Sequence, residues 1–61
     1  MTIRDWFNKE VNVGHRVYVD TAKEAMEGEV VMKDDDTFTL RDDKGICRVI
    51  VTDDLSYYEI Q

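Results

Sequence analysis

Residues 28–40 read Gly28-Glu29-Val30-Val31-Met32-Lys33-Asp34-Asp35-Asp36-Thr37-Phe38-Thr39-Leu40, and this stretch decides the fold. Val30 and Met32 alternate with their neighbours, as do Phe38 and Leu40, and the aspartates Asp34 to Asp36 separate the two runs. Alternation with a period of two on both sides of a polar turn predicts a β-hairpin. Further along, Ile46 to Thr52 alternates again. Cys47, Val49 and Val51 take one face, expected to be the core face, and Ile46, Arg48 and Ile50 take the other. Asp42-Asp43-Lys44-Gly45 supplies the preceding turn, with Gly45 suited to its left-handed position. Asp53-Asp54 breaks the run before Leu55 to Ile60, and upstream Arg16 to Asp20 points Val17 and Val19 inward. Together these segments predict five short antiparallel strands in about fifty residues, the spacing of a small, strongly bent barrel.

Thr2-Ile3-Arg4-Asp5 fits a capping box, so a helix is expected from Ile3 to about Glu10. Ile3, Phe7 and Val11 recur on one side of it and can lie across an open end of the barrel, and Gly14 suits the reversal that follows. Thr21 to Met26 has helical propensity but is too short to persist as an isolated helix, so it reads as a loop or a single turn. No proline, linker or repeat interrupts the chain, which reads as a single domain over 1–61.

A chain of 61 residues buries a small core, roughly 60% of the surface its unfolded form exposes, and is marginal by itself. Cys47 is its only cysteine, so no internal disulfide can form; inside an apolar run it reads as a small buried hydrophobe. With one Cys and one His, the chain lacks the ligands of a structural zinc site, and no cofactor is expected. Oligomerisation is the leading source of further stability. No run of apolar residues is long enough to span a membrane and no signal-peptide pattern opens the sequence, which predicts a cytoplasmic protein without a membrane partner. The net charge of −6 argues against a broad electrostatic grip on nucleic acid.

The order helix, glycine, strand, loop, bent hairpin, strand, short turn, strand resembles the Sm-like (Hfq-type) family over nearly the whole chain. Gly28, Val30, Asp34, Phe38 and Leu40 resemble its first motif, and Val49 to Leu55 followed by Tyr57 to Ile60 resemble its second. The resemblance implies an SH3-like barrel assembled into a homo-oligomeric ring of about five to seven subunits, closed by pairing the fourth strand of one copy with the fifth of the next. Ile46, Arg48, Ile50, Tyr57, Tyr58 and Ile60 would then form the interface, and neither strand carries the proline or central lysine that blunts an edge. The family also implies binding of single-stranded RNA, in a pocket that falls here on Asp36, Phe38, Thr52 and Asp53. This sequence departs from the family there. Asp36 stands where an aromatic base-stacker often sits, and Thr52-Asp53 replaces a basic or histidine-containing pair. A plain SH3-like or Tudor-like barrel fits the same strand pattern.

No other residue announces catalysis. His15 has no basic or nucleophilic partner nearby in sequence, Ser56 lacks the glycine context of a nucleophile elbow, and Arg48 belongs to the face opposite Cys47. Asp34 to Asp36 reads better as a solvated turn than as a cation site, since it lacks the glycine and distal glutamate of a calcium loop. The chain therefore reads as a non-enzyme. Arg4, Lys9 and Arg16 make the one plausible basic patch, and of Trp6 and Phe7 at least one should pack the barrel while the other can stack a base. Two functions stay open: an RNA-binding ring using the helix face, or an acidic interaction module that blocks or scaffolds a basic, nucleic-acid-binding protein.

Overall fold

Thr2 starts helix α1 (Ile3–Glu10) with the expected capping box: its hydroxyl accepts from the Asp5 N–H at 3.2 Å, and the Asp5 carboxylate accepts from the Thr2 N–H at 3.1 Å. These bonds satisfy donors that a first helical turn otherwise leaves orphaned, and the backbone bond from Thr2 chiefly holds the Asp5 carboxyl below its ordinary value of 3.8. The computed structural model describes every residue from Met1 to Gln61. After α1 come β1 (Arg16–Thr21), β2 (Ala25–Lys33), β3 (Thr37–Arg41), β4 (Cys47–Val51), a 3₁₀ turn (Thr52–Asp54) and β5 (Leu55–Ile60). The strands form one five-stranded antiparallel sheet in the order β4-β3-β2-β1-β5. The class is the expected one, mainly β with an N-terminal helix and a bent sheet. No helix is long and apolar enough to cross a membrane.

The core gathers Phe7 and Val11 from α1 and its end, Val17 and Val19 from β1, Val30 from β2, Phe38 and Leu40 from β3, Ile50 from β4 and Leu55 from β5. Phe7 is the centre of it, with its ring 4.3 Å from that of Phe38 and edge-on to Tyr58 at 5.3 Å. Gly14, at φ 100°, turns the chain from the helix into β1, and Gly45, at φ 83°, serves the β3–β4 turn. The aspartate triplet forms the β2–β3 turn. One Asp34 carboxylate oxygen accepts from the N–H groups of Asp36 and Thr37 at 3.0 and 2.9 Å, which lowers its pKa below the ordinary value.

The structure corrects the sequence reading in three places. β2 begins at Ala25, so part of the segment read as a loop is strand: Met26 pairs with Val19 and Ala25 with Asp20. Pairing along β1 outweighs a weak helical preference. Second, the β2–β3 register shifts between Val30 and Met32. The extra residue reverses the alternation, and Met32 is 67% exposed instead of sharing the core with Val30.

The third correction concerns β4. Phe38 lies opposite Ile50 and Leu40 opposite Arg48, so Ile50 faces inward at 7% exposure while Val49 and Val51 face out at 72% and 47%. Cys47 shares their outward face and is exposed, not a buried hydrophobe. Arg48 marks the Ile50 side as the polar one, so alternation alone points to the wrong face; the pairing with a buried Phe38 decides which side is inside, and Arg48 reaches out to Glu24.

Candidate functional site

Arg4, on the first turn of α1, is held by three residues of two turns. Its Nη2 donates to Asp36 Oδ1 at 2.7 Å, its Nη1 to the two Asp53 carboxylate oxygens at 3.3 and 3.4 Å, and its Nε to the Asp35 carbonyl at 3.2 Å. Asn8 Nδ2 reaches the same carbonyl at 3.2 Å. The guanidinium therefore ties the helix to the β2–β3 turn and the 3₁₀ turn. Each exposed ion pair contributes roughly 1 kcal/mol or less, but together they occupy the donors a phosphate would need.

The other arginines are occupied in the same way. Arg16 pairs with Asp43, Arg41 with Glu29 and Arg48 with Glu24, each at 2.8 Å. The bond to Asp43 raises the Arg16 pKa further. Lys33 donates to the carbonyls of Asn8 and Val11 and so caps the C-terminal end of α1. Of the expected basic patch, Arg4 and Arg16 are thus neutralised by carboxylates distant in sequence. Only Lys9 keeps a free charge, 5.5 Å above the exposed Trp6 ring.

The residues that the family pocket would use divide into two groups. Phe38 and Thr52 are buried and cannot touch a ligand, which corrects their assignment as RNA contacts; Asp36 and Asp53 are exposed but bound to Arg4. Thr52 and Asn8 each keep one buried side-chain oxygen without a partner beside this junction. His15 Nδ1 accepts from the Asn12 N–H at 3.2 Å and Ser56 Oγ donates to the Asp20 carbonyl at 3.0 Å, so both act as local backbone clips. No group of three or more His, Cys, Asp or Glu side chains is placed to hold a metal ion.

The sheet ends at β4 on one side and β5 on the other, and each presents an unpaired backbone edge. Ile46, Val49 and Val51 are exposed at the first edge, and Tyr57 and Ile60 at the second. Two expected interface residues have other duties. Ile50 belongs to the core, and Tyr58 packs against Phe7 while its hydroxyl donates to Glu10. Burial first, and then the Glu10 carboxylate, push the Tyr58 pKa up to about 12. Arg48 stays at the edge strand in its pair with Glu24. Beside β4 a shallow cleft of about 350 Å³ opens between Lys23, Glu24 and Met26 on one side and Val49, Ile50 and Val51 on the other.

Sequence reading missed two surface features. One is this cleft, formed where the start of β2 approaches β4. The other is the outer face of β5-β1-β2, where Tyr18 and Tyr57 meet edge to face at 6.2 Å among carboxylates. The alternation of Arg16 to Asp20 does signal that Tyr18 points outward, but only the strand order brings Tyr57 to it. The chain was compared with family models, with curated proteins and with solved structures, and it matches none of them.

Proposed function

We propose that the chain is a non-catalytic binding module that self-associates edge to edge, in the manner of the Sm-like rings it resembles, and takes a basic protein as its partner. The observation that carries self-association is the pair of unblocked edges, β4 and β5, each bordered by exposed apolar side chains. Pairing them satisfies both rows of backbone groups and covers Val49, Val51, Tyr57 and Ile60. With only 11 of 61 residues buried, the isolated chain has little core to rely on, and association supplies more. The exposed, unpaired Cys47 fits a reducing cytoplasmic setting.

The choice of partner rests on charge. Every arginine is already paired with a carboxylate, and the net charge is −6, so the surface attracts cations and repels phosphate. RNA is the second reading, favoured by one observation: Lys9 over the exposed Trp6 ring offers a small stacking site on the helix. Titration with oligo-U and oligo-A at low and moderate salt separates the readings. The expected result is no saturable binding at micromolar protein. Tight oligo-U binding that Trp6→Ala abolishes would replace the basic partner with RNA.

A further inference from the structure

The outer face of the sheet across β5, β1 and β2 has no helix, strand or loop assigned to cover it, and its side chains can be placed from the register. Val17 and Val19 are buried, so Tyr18 and Asp20 project to the opposite side of β1. Tyr18 lies between Glu59 of β5 and Glu27 of β2, and Asp20 lies beside Tyr57. Residues directly opposite one another in antiparallel strands share a face. The result is two tyrosine rings in edge-to-face contact at 6.2 Å, flanked by Asp20, Glu27 and Glu59.

Glu24, Glu29, Asp36, Asp43 and Asp53 each have an arginine, whereas Asp20, Glu27 and Glu59 take part in no ion pair. The same is true of Asp34, Asp35 and Asp54 elsewhere on the surface, but only here do three such carboxylates flank a pair of tyrosine rings. The hydrogen-bond donors to this face's glutamates are neutral, Tyr57 donating to Glu59 at 2.9 Å and Gln61 Nε2 to Glu27 at 2.8 Å, while Arg16, the nearby cation on this face, is bound to Asp43 at 2.8 Å. Glu27 and Glu59 stand two strand spacings apart, roughly 10 Å, with the Tyr18 ring between them. A planar cation laid on that ring meets a carboxylate on either side. An arginine suits the place better than a lysine, because the guanidinium both stacks on an aromatic face and bonds carboxylates in pairs of parallel contacts.

We propose that this face, built on Tyr18, Tyr57, Asp20, Glu27 and Glu59, is the docking surface for an arginine-rich segment of a basic protein. The inference rests on the basic-partner reading above and adds to it a place and a side-chain preference. Tyr57 and Glu59 of this face lie on the β5 edge strand, so docking and association through that edge share these two residues, while Tyr18, Asp20 and Glu27 belong to docking alone.

The probe is a fluorescein-labelled nona-arginine peptide titrated by anisotropy against the full chain, with nona-lysine as its counterpart. Saturable binding that weakens with salt, and is stronger for arginine, is expected. Glu27→Gln with Glu59→Gln should weaken nona-arginine binding roughly tenfold or more, the loss of two charge-assisted contacts. Asp35→Asn with Asp54→Asn removes the same charge elsewhere and should weaken it by about threefold or less. Tyr18→Leu should reduce the preference for arginine over lysine, which a purely electrostatic attraction would leave unchanged. The glutamates are exposed and Tyr18 is half-buried, and far-UV circular dichroism of each variant checks its fold. Equal weakening by the two double variants would overturn this face while leaving a basic partner in place. Absence of nona-arginine binding to the unmodified chain would overturn both.

Discussion

Replacing Ile50 with aspartate unfolds the domain at room temperature, whereas the same change at Val51 leaves it folded. Ile50 is 7% exposed and sits opposite Phe38 in the core, so the substitution removes a branched aliphatic group and buries a carboxylate against apolar side chains. Loss of the side chain alone costs about 2–5 kcal/mol, and the unpaired polar group adds to it. A domain of this length has a net stability on the order of 3–9 kcal/mol, so the combined loss exhausts most or all of it. Val51 points outward at 47% exposure, and its change to aspartate costs about 1 kcal/mol through lower strand preference. Urea denaturation followed by circular dichroism measures both. The opposite order, with Val51→Asp unfolded and Ile50→Asp intact, would mean that β4 is inverted by one residue.

Gly28→Ala is the second severe change. Gly28 is buried in β2 opposite Val17, and a Cβ added to it would run into the backbone of the neighbouring strand. It would press on the Arg41 carbonyl oxygen, lie 2.9 Å from the carbonyl carbon and 3.4 Å from the Asp42 Cα. These are backbone atoms, with no side-chain rotation to relieve them, so β2 and the end of β3 must part and break ladder bonds. The expected loss is about 3 kcal/mol, at the upper end of overpacking costs, and appears as a drop in Tm of well over ten degrees in a domain this small. A Tm within a few degrees of the unmodified chain would show that the strands do not approach so closely at this point.

These positions also show what could be read from sequence. The Thr2/Asp5 box fixed where α1 begins because capping is local chemistry, and Val17 and Val19 were legible because polar neighbours separate them. The parity of β4 was not legible. Arg48 makes the Ile50 face look like the outer one, and the contact that overrides it is with Phe38 on the partner strand. Met32 was lost to a bulge at Val31, for which the hairpin pattern carries no mark. Gly28 could be noticed as a glycine inside a strand, but the Arg41 carbonyl that requires it comes from the partner strand.

The basic patch failed for a related reason. Arg4, Lys9 and Arg16 are close in sequence, but Asp36, Asp53 and Asp43 come from other turns to neutralise two of them. The Tyr18–Tyr57 face was hidden likewise, because β5 pairs with β1 across nearly the whole chain. Local patterns announce elements; charge compensation and surface composition depend on which elements the topology brings together.

Sedimentation equilibrium on the untagged chain at micromolar concentration tests the central claim, which is association through the free edges of β4 and β5. The account predicts a species whose mass is a small integer multiple of 7.2 kDa, shifted towards the single chain by Val49→Lys combined with Tyr57→Lys, which place charge on both edges. A homogeneous 7.2 kDa monomer for the unmodified protein would contradict it.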